Sequence, residues 1–133
     1  MKRVFIMRGV PGSGKSTMAR LLAGETGVIH STDHYFYVGE VYSHDTSLLS
    51  QNHEKNFKAF CESLKNGVPI VICDNTNVQR AHFACYISAA NAAGYQIDIV
   101  AMLPHPDPEV AAIRNKHGAS SETIRRMIAD WED

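Results

Sequence analysis

Strands that alternate with helices along 133 residues predict an α/β fold: three layers, with a small parallel sheet of about four strands and helices on both faces. Three observations predict it. Residues 3–8, 28–31, 69–73 and 96–103 are short apolar runs of strand length with turn formers beside them. Helical spacing of apolar residues fills the intervals between them. Apolar residues make up 44% and charged residues 20%, the balance of a globular chain rather than a disordered or fibrous one. No internal repeat, low-complexity tract or linker composition divides residues 1–133, so one domain is expected.

Each element follows from its residues. Arg3-Val4-Phe5-Ile6-Met7-Arg8 is a buried strand, and Gly9 to Gly14 a glycine-rich turn. Residues 16–26 are helix formers with apolar Met18, Leu21 and Leu22, stopped near Gly27. Val28-Ile29-His30-Ser31 is a second strand. Residues 33–46 have no clean period and are rich in Tyr, His, Asp and Ser, which predicts an irregular insert. Leu48, Leu49, Phe57, Phe60, Cys61 and Leu64 predict a helix over 47–65, ended by Asn66-Gly67. Pro69-Ile70-Val71-Ile72-Cys73 is the clearest buried strand. A helix over 79–93 closes at Gly94, and Gln96 to Leu103 forms a strand. Pro104, Pro106 and Pro108 stiffen the path into a helix over 109–116, which Gly118 breaks; a last helix runs from Ser121 to Trp131.

Charge and cysteine content narrow the function classes. A formal charge of -1 argues against coating long nucleic acids by counterion release alone. No apolar run approaches the ~20 residues a membrane helix needs, and the run after Met1 is cut at Arg8 without a signal-type cleavage site. Cys61, Cys73 and Cys85 neither close a disulfide framework nor form a metal-type pair. The expectation is a cytoplasmic protein with no membrane association. His30 and His34 lie four apart across a strand-to-loop junction with no completing ligand, so no structural zinc is expected.

Gly9-Val10-Pro11-Gly12-Ser13-Gly14-Lys15-Ser16, followed by Thr17, fits G-x-x-x-x-G-K-[ST] between a predicted strand and a predicted helix. Gly12, Ser13, Gly14, Lys15, Ser16 and Thr17 are the candidate nucleotide-binding residues. Glycines let backbone N–H groups turn toward phosphate oxygens, and the following helix adds its positive end. The Lys15 ammonium suits the β- and γ-phosphates of ATP, and the Ser16 hydroxyl suits Mg²⁺. Asp74 ends the third apolar run and is the candidate to hold the metal through water. The chain continues Asn75-Thr76-Asn77, without a water-activating glutamate, and Asn115-Lys116-His117-Gly118 lacks the aspartate of a guanine reader.

Asp33 follows the second strand, at the sheet edge the phosphate loop shares, and suits a general base for a hydroxyl acceptor; a turn cap is its plainer role. Arg114, Arg125 and Arg126 are candidate cations for the transferring phosphate, with residues 105–120 as a lid-like region; Arg114 and Arg126 are the stronger two. Tyr35, Phe36, Tyr37 and Tyr42 can stack on an unpaired base or form a small core under the loop. Lys55, Lys58, Lys65 and Arg80 can line an acceptor groove or form a solvated face. Cys73 has the setting of a buried strand residue.

Together, Gly9–Thr17, Ser31-Thr32-Asp33-His34-Tyr35-Phe36, Asp74-Asn75-Thr76-Asn77 and Arg114-Asn115-Lys116-His117-Gly118 resemble the polynucleotide-kinase-like branch of P-loop kinases. That branch holds end-healing polynucleotide kinase domains and the kinase-like domain of the Nedd-four-binding protein two group, which the chain matches more closely. The resemblance spans nearly the whole chain. It implies a P-loop kinase fold, ATP and Mg²⁺ at Lys15 and Ser16, Asp33 as base and Arg114 in the lid; Tyr35, Phe36, Asn75 and Asn77 are the candidate acceptor-side residues. The chain departs from the pattern at Phe36, where end-healing kinases carry a phosphate-binding arginine, and at His117, where they tend to carry a lid arginine. A hydroxymethylated pyrimidine in DNA, the substrate of related phage kinases, therefore joins a 5′-hydroxyl end as an expected acceptor. DNA is favoured over RNA. A small-metabolite or nucleoside kinase and a non-catalytic nucleotide-binding module are the alternatives.

Overall fold

The computed structural model describes residues 1–133, in which the four-stranded parallel sheet has the order β2-β5-β1-β6. In chain order the elements are β1 (Arg3–Arg8), α1 (Lys15–Ala23), β2 (Val28–His30), β3 (Tyr37–Val38), β4 (Val41–Tyr42), α2 (Leu49–Lys65), β5 (Ile70–Asp74), α3 (Ala84–Ala92), β6 (Gln96–Ala101), α4 (Pro108–Arg114) and α5 (Ser121–Ala129). β1 lies between β5 and β6 and is buried from Val4 onward, so successive side chains feed opposite faces. Val4 and Ile6 join Phe60 and Leu64 of α2, Tyr86 and Ala90 of α3, and Val71 and Cys73 in one core. Phe5 and Met7 join Ala19 and Ala23 of α1 and Ile72 in the other. Each of these larger side chains contributes about 1.5–3 kcal/mol by burial, which is why a strand with no solvated face is apolar throughout. A third cluster, Val10 with Ala111 and Ile124, sets α4 and α5 against the phosphate loop.

Four local expectations are corrected. The insert over 33–46 is ordered: a 3-10 turn at Thr32–Phe36, the β3–β4 hairpin, and a second 3-10 turn at Thr46–Leu48. Elements this short carry no period to detect. The helix expected over 79–93 is divided into a 3-10 turn at Arg80–His82 and α3, because Gln79 and His82 cap each other reciprocally. Phe83, between them, has φ −124° and drops its ring into the core. Leu21, Leu48 and Leu49 are exposed; Ala19 and Ala23 fill the buried face of α1, and Asn52, Asn56 and Ser63 share that of α2. Asp74 is the last residue of β5 rather than the first beyond it. No helix is long and apolar enough to cross a membrane.

Candidate active site

The parallel order brings three C-terminal strand ends to one edge: the phosphate loop after β1, Asp74 ending β5, and Asp33 after β2, with β5 in the middle. Such an edge is where open α/β sheets bind ligands. Two hydrogen bonds hold the loops together. Gly9 N–H donates to Thr76 O at 3.1 Å, and Thr32 N–H donates to the Asn75 side-chain oxygen at 2.9 Å. The loop carrying Asp33 is therefore tied directly to the loop following Asp74.

At the phosphate loop, Gly12 (φ 81°) and Gly14 (φ 88°) occupy conformations that side-chain-bearing residues avoid. Gly12 also meets the lid helix: a Cβ there would stand 2.4 Å from Ala111 O. No side chain caps α1, and the first amide bonded back to the turn is that of Met18, to Gly14 O at 3.1 Å. The amides of Lys15, Ser16 and Thr17 thus lie in the unbonded first turn, where an anion is stabilised. Lys15 Nζ is 2.7 Å from Asp74 Oδ1, and Ser16 Oγ is 3.2 Å from Asp74 Oδ2. The ion pair is nearly dry, with side-chain exposures of 11% for Lys15 and 5% for Asp74. Ser13 Oγ is buried without a protein partner. A nucleoside triphosphate and a hard divalent cation fit this set: free amides, one ammonium, an orphaned hydroxyl, and oxygen donors from Ser16 and Asp74.

Asp33 is half-exposed on its 3-10 turn. Its Oδ1 accepts from Tyr42 Oη at 3.2 Å, and its Oδ2 lies 3.3 Å from His117 Nδ1. Burial, together with the neighbouring carboxylate, pushes the Tyr42 hydroxyl well above the ordinary tyrosine range, which keeps it a donor. Tyr35 turns toward α2 and lines an open groove of about 370 Å³ with Lys55, Lys58, Ala59 and Glu62.

Two acceptor-side expectations are corrected. Phe36 is 3% exposed, packed against the Tyr42 and His44 rings, so it is a small core rather than a stacking face. Asn77 is buried with φ 48°, and its amide donates to Met7 O at 2.8 Å; it closes the β1–β5 junction instead of facing a substrate. Asn75 splits its amide between the bond to Thr32 and the Cys73 sulfur, 3.7 Å away. Burial raises the Cys73 thiol to about 12, consistent with an inert core residue. Arg114 and Arg126 are exposed on α4 and α5, while Arg125 pairs with Glu109 at 2.6 Å.

Arg8 was not singled out by the sequence. It is 4% exposed at the end of β1, sandwiched between Phe83 and Trp131 at 4.9 and 4.4 Å, and donates to the carbonyls of Asn77, Val78 and Glu132. Burial lowers its pKa, yet three carbonyls and two rings compensate the charge, and the Asp74–Val78 loop is held from behind. Its one sequence signal is an arginine that ends a buried strand.

Comparison with known proteins agrees with this geometry. A family model described as an AAA domain matches residues 4–132. Human NEDD4-binding protein 2 is 36% identical over 97% of this chain, which spans 8% of that protein's length. A chain of the Pnkp1/Rnl/Hen1 RNA repair complex superposes with a TM-score of 0.70 at 19% identity, covering 97% of this chain and 43% of that one. A sugar kinase from Janibacter sp. HTCC2649 superposes with a TM-score of 0.61 at 17% identity, covering 100% and 79%. The P-loop kinase fold is thus common to neighbours whose named roles differ.

Proposed function

The chain belongs to the AAA domain family, and from that premise we propose that it is an ATP- and Mg²⁺-dependent kinase whose acceptor is a hydroxyl of a nucleic acid, with Asp33 as general base. The observation that carries the proposal is one sheet edge holding Lys15, Ser16 and Asp74 on one side and a half-exposed carboxylate, Asp33, on the other. Bound ATP with Mg²⁺ would supply the phosphoryl group and neutralise its charge. Lys15, the free amides of α1 and the Ser13 hydroxyl would hold the phosphates; Ser16 and Asp74 would hold the metal, Asp74 through water. Asp33 would orient the acceptor hydroxyl and take its proton. Arg114 or Arg126, both free at the surface of the lid pair, would complete the phosphate's cationic surroundings.

A nucleic acid is favoured over a small metabolite by the groove beside Asp33's turn, where Tyr35 stands with Lys55 and Lys58: a ring for a base and two ammonium groups for phosphates. DNA is the preferred form, at a 5′-hydroxyl end or a hydroxymethylpyrimidine. The buried Phe36 leaves the end-phosphate arginine of end-healing kinases without a counterpart, which supports the second acceptor. The RNA repair complex whose chain superposes on this one supports a nucleic-acid acceptor, while the sugar-kinase neighbour sustains the small-molecule alternative.

Label transfer from γ-labelled ATP tests the assignment against three acceptors: a 5′-hydroxyl oligonucleotide, end-blocked hydroxymethylpyrimidine DNA and a nucleoside mixture. Asp33→Asn is expected to retain ATP affinity while turnover falls by about 10²–10⁴-fold. Near-full transfer by that variant removes Asp33 as base. Label on the nucleosides alone makes the chain a small-molecule kinase.

A further inference from the structure

We propose that His117 and Tyr42 are positioning residues for Asp33: a clasp that joins the lid loop to the β3–β4 hairpin and fixes the carboxylate plane that meets the acceptor hydroxyl. The inference rests on Asp33 being the base. Each carboxylate oxygen is addressed from a different element, Oδ1 by Tyr42 Oη at 3.2 Å and Oδ2 by His117 Nδ1 at 3.3 Å. The Tyr42 and His117 rings stack on one another, with centroids 4.2 Å apart and planes at 28°. Tyr37, paired with Tyr42 across the hairpin, brings its hydroxyl to 3.4 Å from His117 Nε2.

One proton arrangement serves all three contacts. Nδ1–H faces Oδ2, Tyr42 donates to Oδ1, and the Tyr37 hydroxyl partners Nε2, so His117 carries a proton on Nδ1. A carboxylate has about four lone-pair sites, so one donor per oxygen leaves a site on each for the acceptor proton. Contacts of this length tighten when substrate orders a site.

The lid loop is built to present His117. Asn115 donates to the carbonyls of Ala111, Ala112 and Ala119 at 2.9–3.0 Å and accepts from Ala119 N–H, and Gly118 turns the chain at φ 75°. His117 is therefore not a stand-in for a phosphate-facing lid arginine; it works on the acceptor side. The other titratable rings around this cluster are His53, whose Nδ1 is 3.1 Å from Thr32 Oγ1, and His44, stacked on Tyr42 and Phe36. Neither makes a hydrogen bond to Asp33.

Two measurements on the full chain test the clasp. In steady-state transfer to a 5′-hydroxyl or hydroxymethylpyrimidine oligonucleotide, His117→Ala is expected to lower kcat roughly tenfold with the KM for ATP unchanged. His117→Asn, whose amide nitrogen can occupy the Nδ1 position, is expected to recover most of that loss. Tyr42→Phe, which keeps the stack and loses the donor, is expected to cost severalfold. Wild-type kcat in both His117→Ala and Tyr42→Phe, beside an inactive Asp33→Asn, overturns the clasp and leaves the base standing. An active Asp33→Asn removes the base, and the clasp with it. Nitrogen-15 NMR of histidine-labelled protein gives a readout independent of acceptor: His117 is expected to carry a proton on Nδ1, with that signal changing in Asp33→Asn. An Nε2–H tautomer insensitive to Asp33→Asn overturns the proposal.

Discussion

Lys15 is gripped by one buried carboxylate at the end of a central strand, whereas Asp33 is gripped by two half-buried rings from a hairpin and a loop. Side-chain exposures are 11% and 5% for the first pair and 31% and 43% for the His117–Asp33 pair. A dry ion pair in low dielectric fixes geometry strongly, and removal of one partner strands a buried charge. A wet contact is weaker and exchanges readily with water. The Lys15–Asp74 side is therefore a rigid socket, and the Asp33 side, in the function proposed, an adjustable clasp that an acceptor would tighten.

The largest expected effect lies on the rigid side. Lys15→Ala strands Asp74 without its cation, and both ATP affinity by calorimetry and transfer are expected to fall, the latter about a hundredfold or more. Wild-type transfer in that variant would refute the socket. Gly12→Ala tests whether the lid pair is built onto the same socket. Its Cβ would meet Ala111 O at 2.4 Å from a backbone at φ 81°, so roughly 2–3 kcal/mol of stability is expected to be lost in chemical denaturation. A loss under 0.5 kcal/mol would mean that α4 moves aside freely.

Next comes a pH effect beneath the acceptor side. His30, at the end of β2, is 9% exposed and bonded to Ser63 Oγ at 2.8 Å, and burial lowers its pKa to about 4, with His34 adding to the shift. The unfolded chain protonates near 6.5, so between those values it binds more protons than the native state and stability falls with falling pH. Unfolding free energies from denaturant titration at pH 7 and pH 4.5 are expected to differ by about 2 kcal/mol, and His30→Gln to flatten the difference. An unchanged slope in that variant assigns the effect elsewhere.

The smallest effect belongs to the groove. Lys55→Glu with Lys58→Glu is expected to weaken oligonucleotide binding severalfold and flatten its salt dependence, with ATP affinity and stability unchanged. Identical salt slopes would leave those lysines as a solvated face.

The rigid side was legible in sequence because its parts are local. Gly9 to Thr17 are contiguous, Asp74 ends an apolar run, and each residue type matches the phosphate or metal chemistry proposed for it. The acceptor side was only half legible. Asp33 could be placed at the sheet edge, but Phe36 and Asn77 were expected on substrate and prove to be buried, and Arg8 gave no signal beyond its position. Aromatic and amide side chains do identical duty in a core and at a surface, so composition cannot separate the two.

The alternation of strands and helices, the phosphate loop, Asp74 at a strand end and Asp33 shortly beyond one can be read from neighbouring residues, because backbone period and local turn chemistry are written there. Only the tertiary structure decided which strand lies between which, that Arg8 braces the Asp74 loop, and that Tyr42 and His117 meet at Asp33. Those contacts join residues distant in the chain. They come together only after burial of Val4, Ile6, Phe60 and Phe83 has set the layers, and no local pattern encodes them.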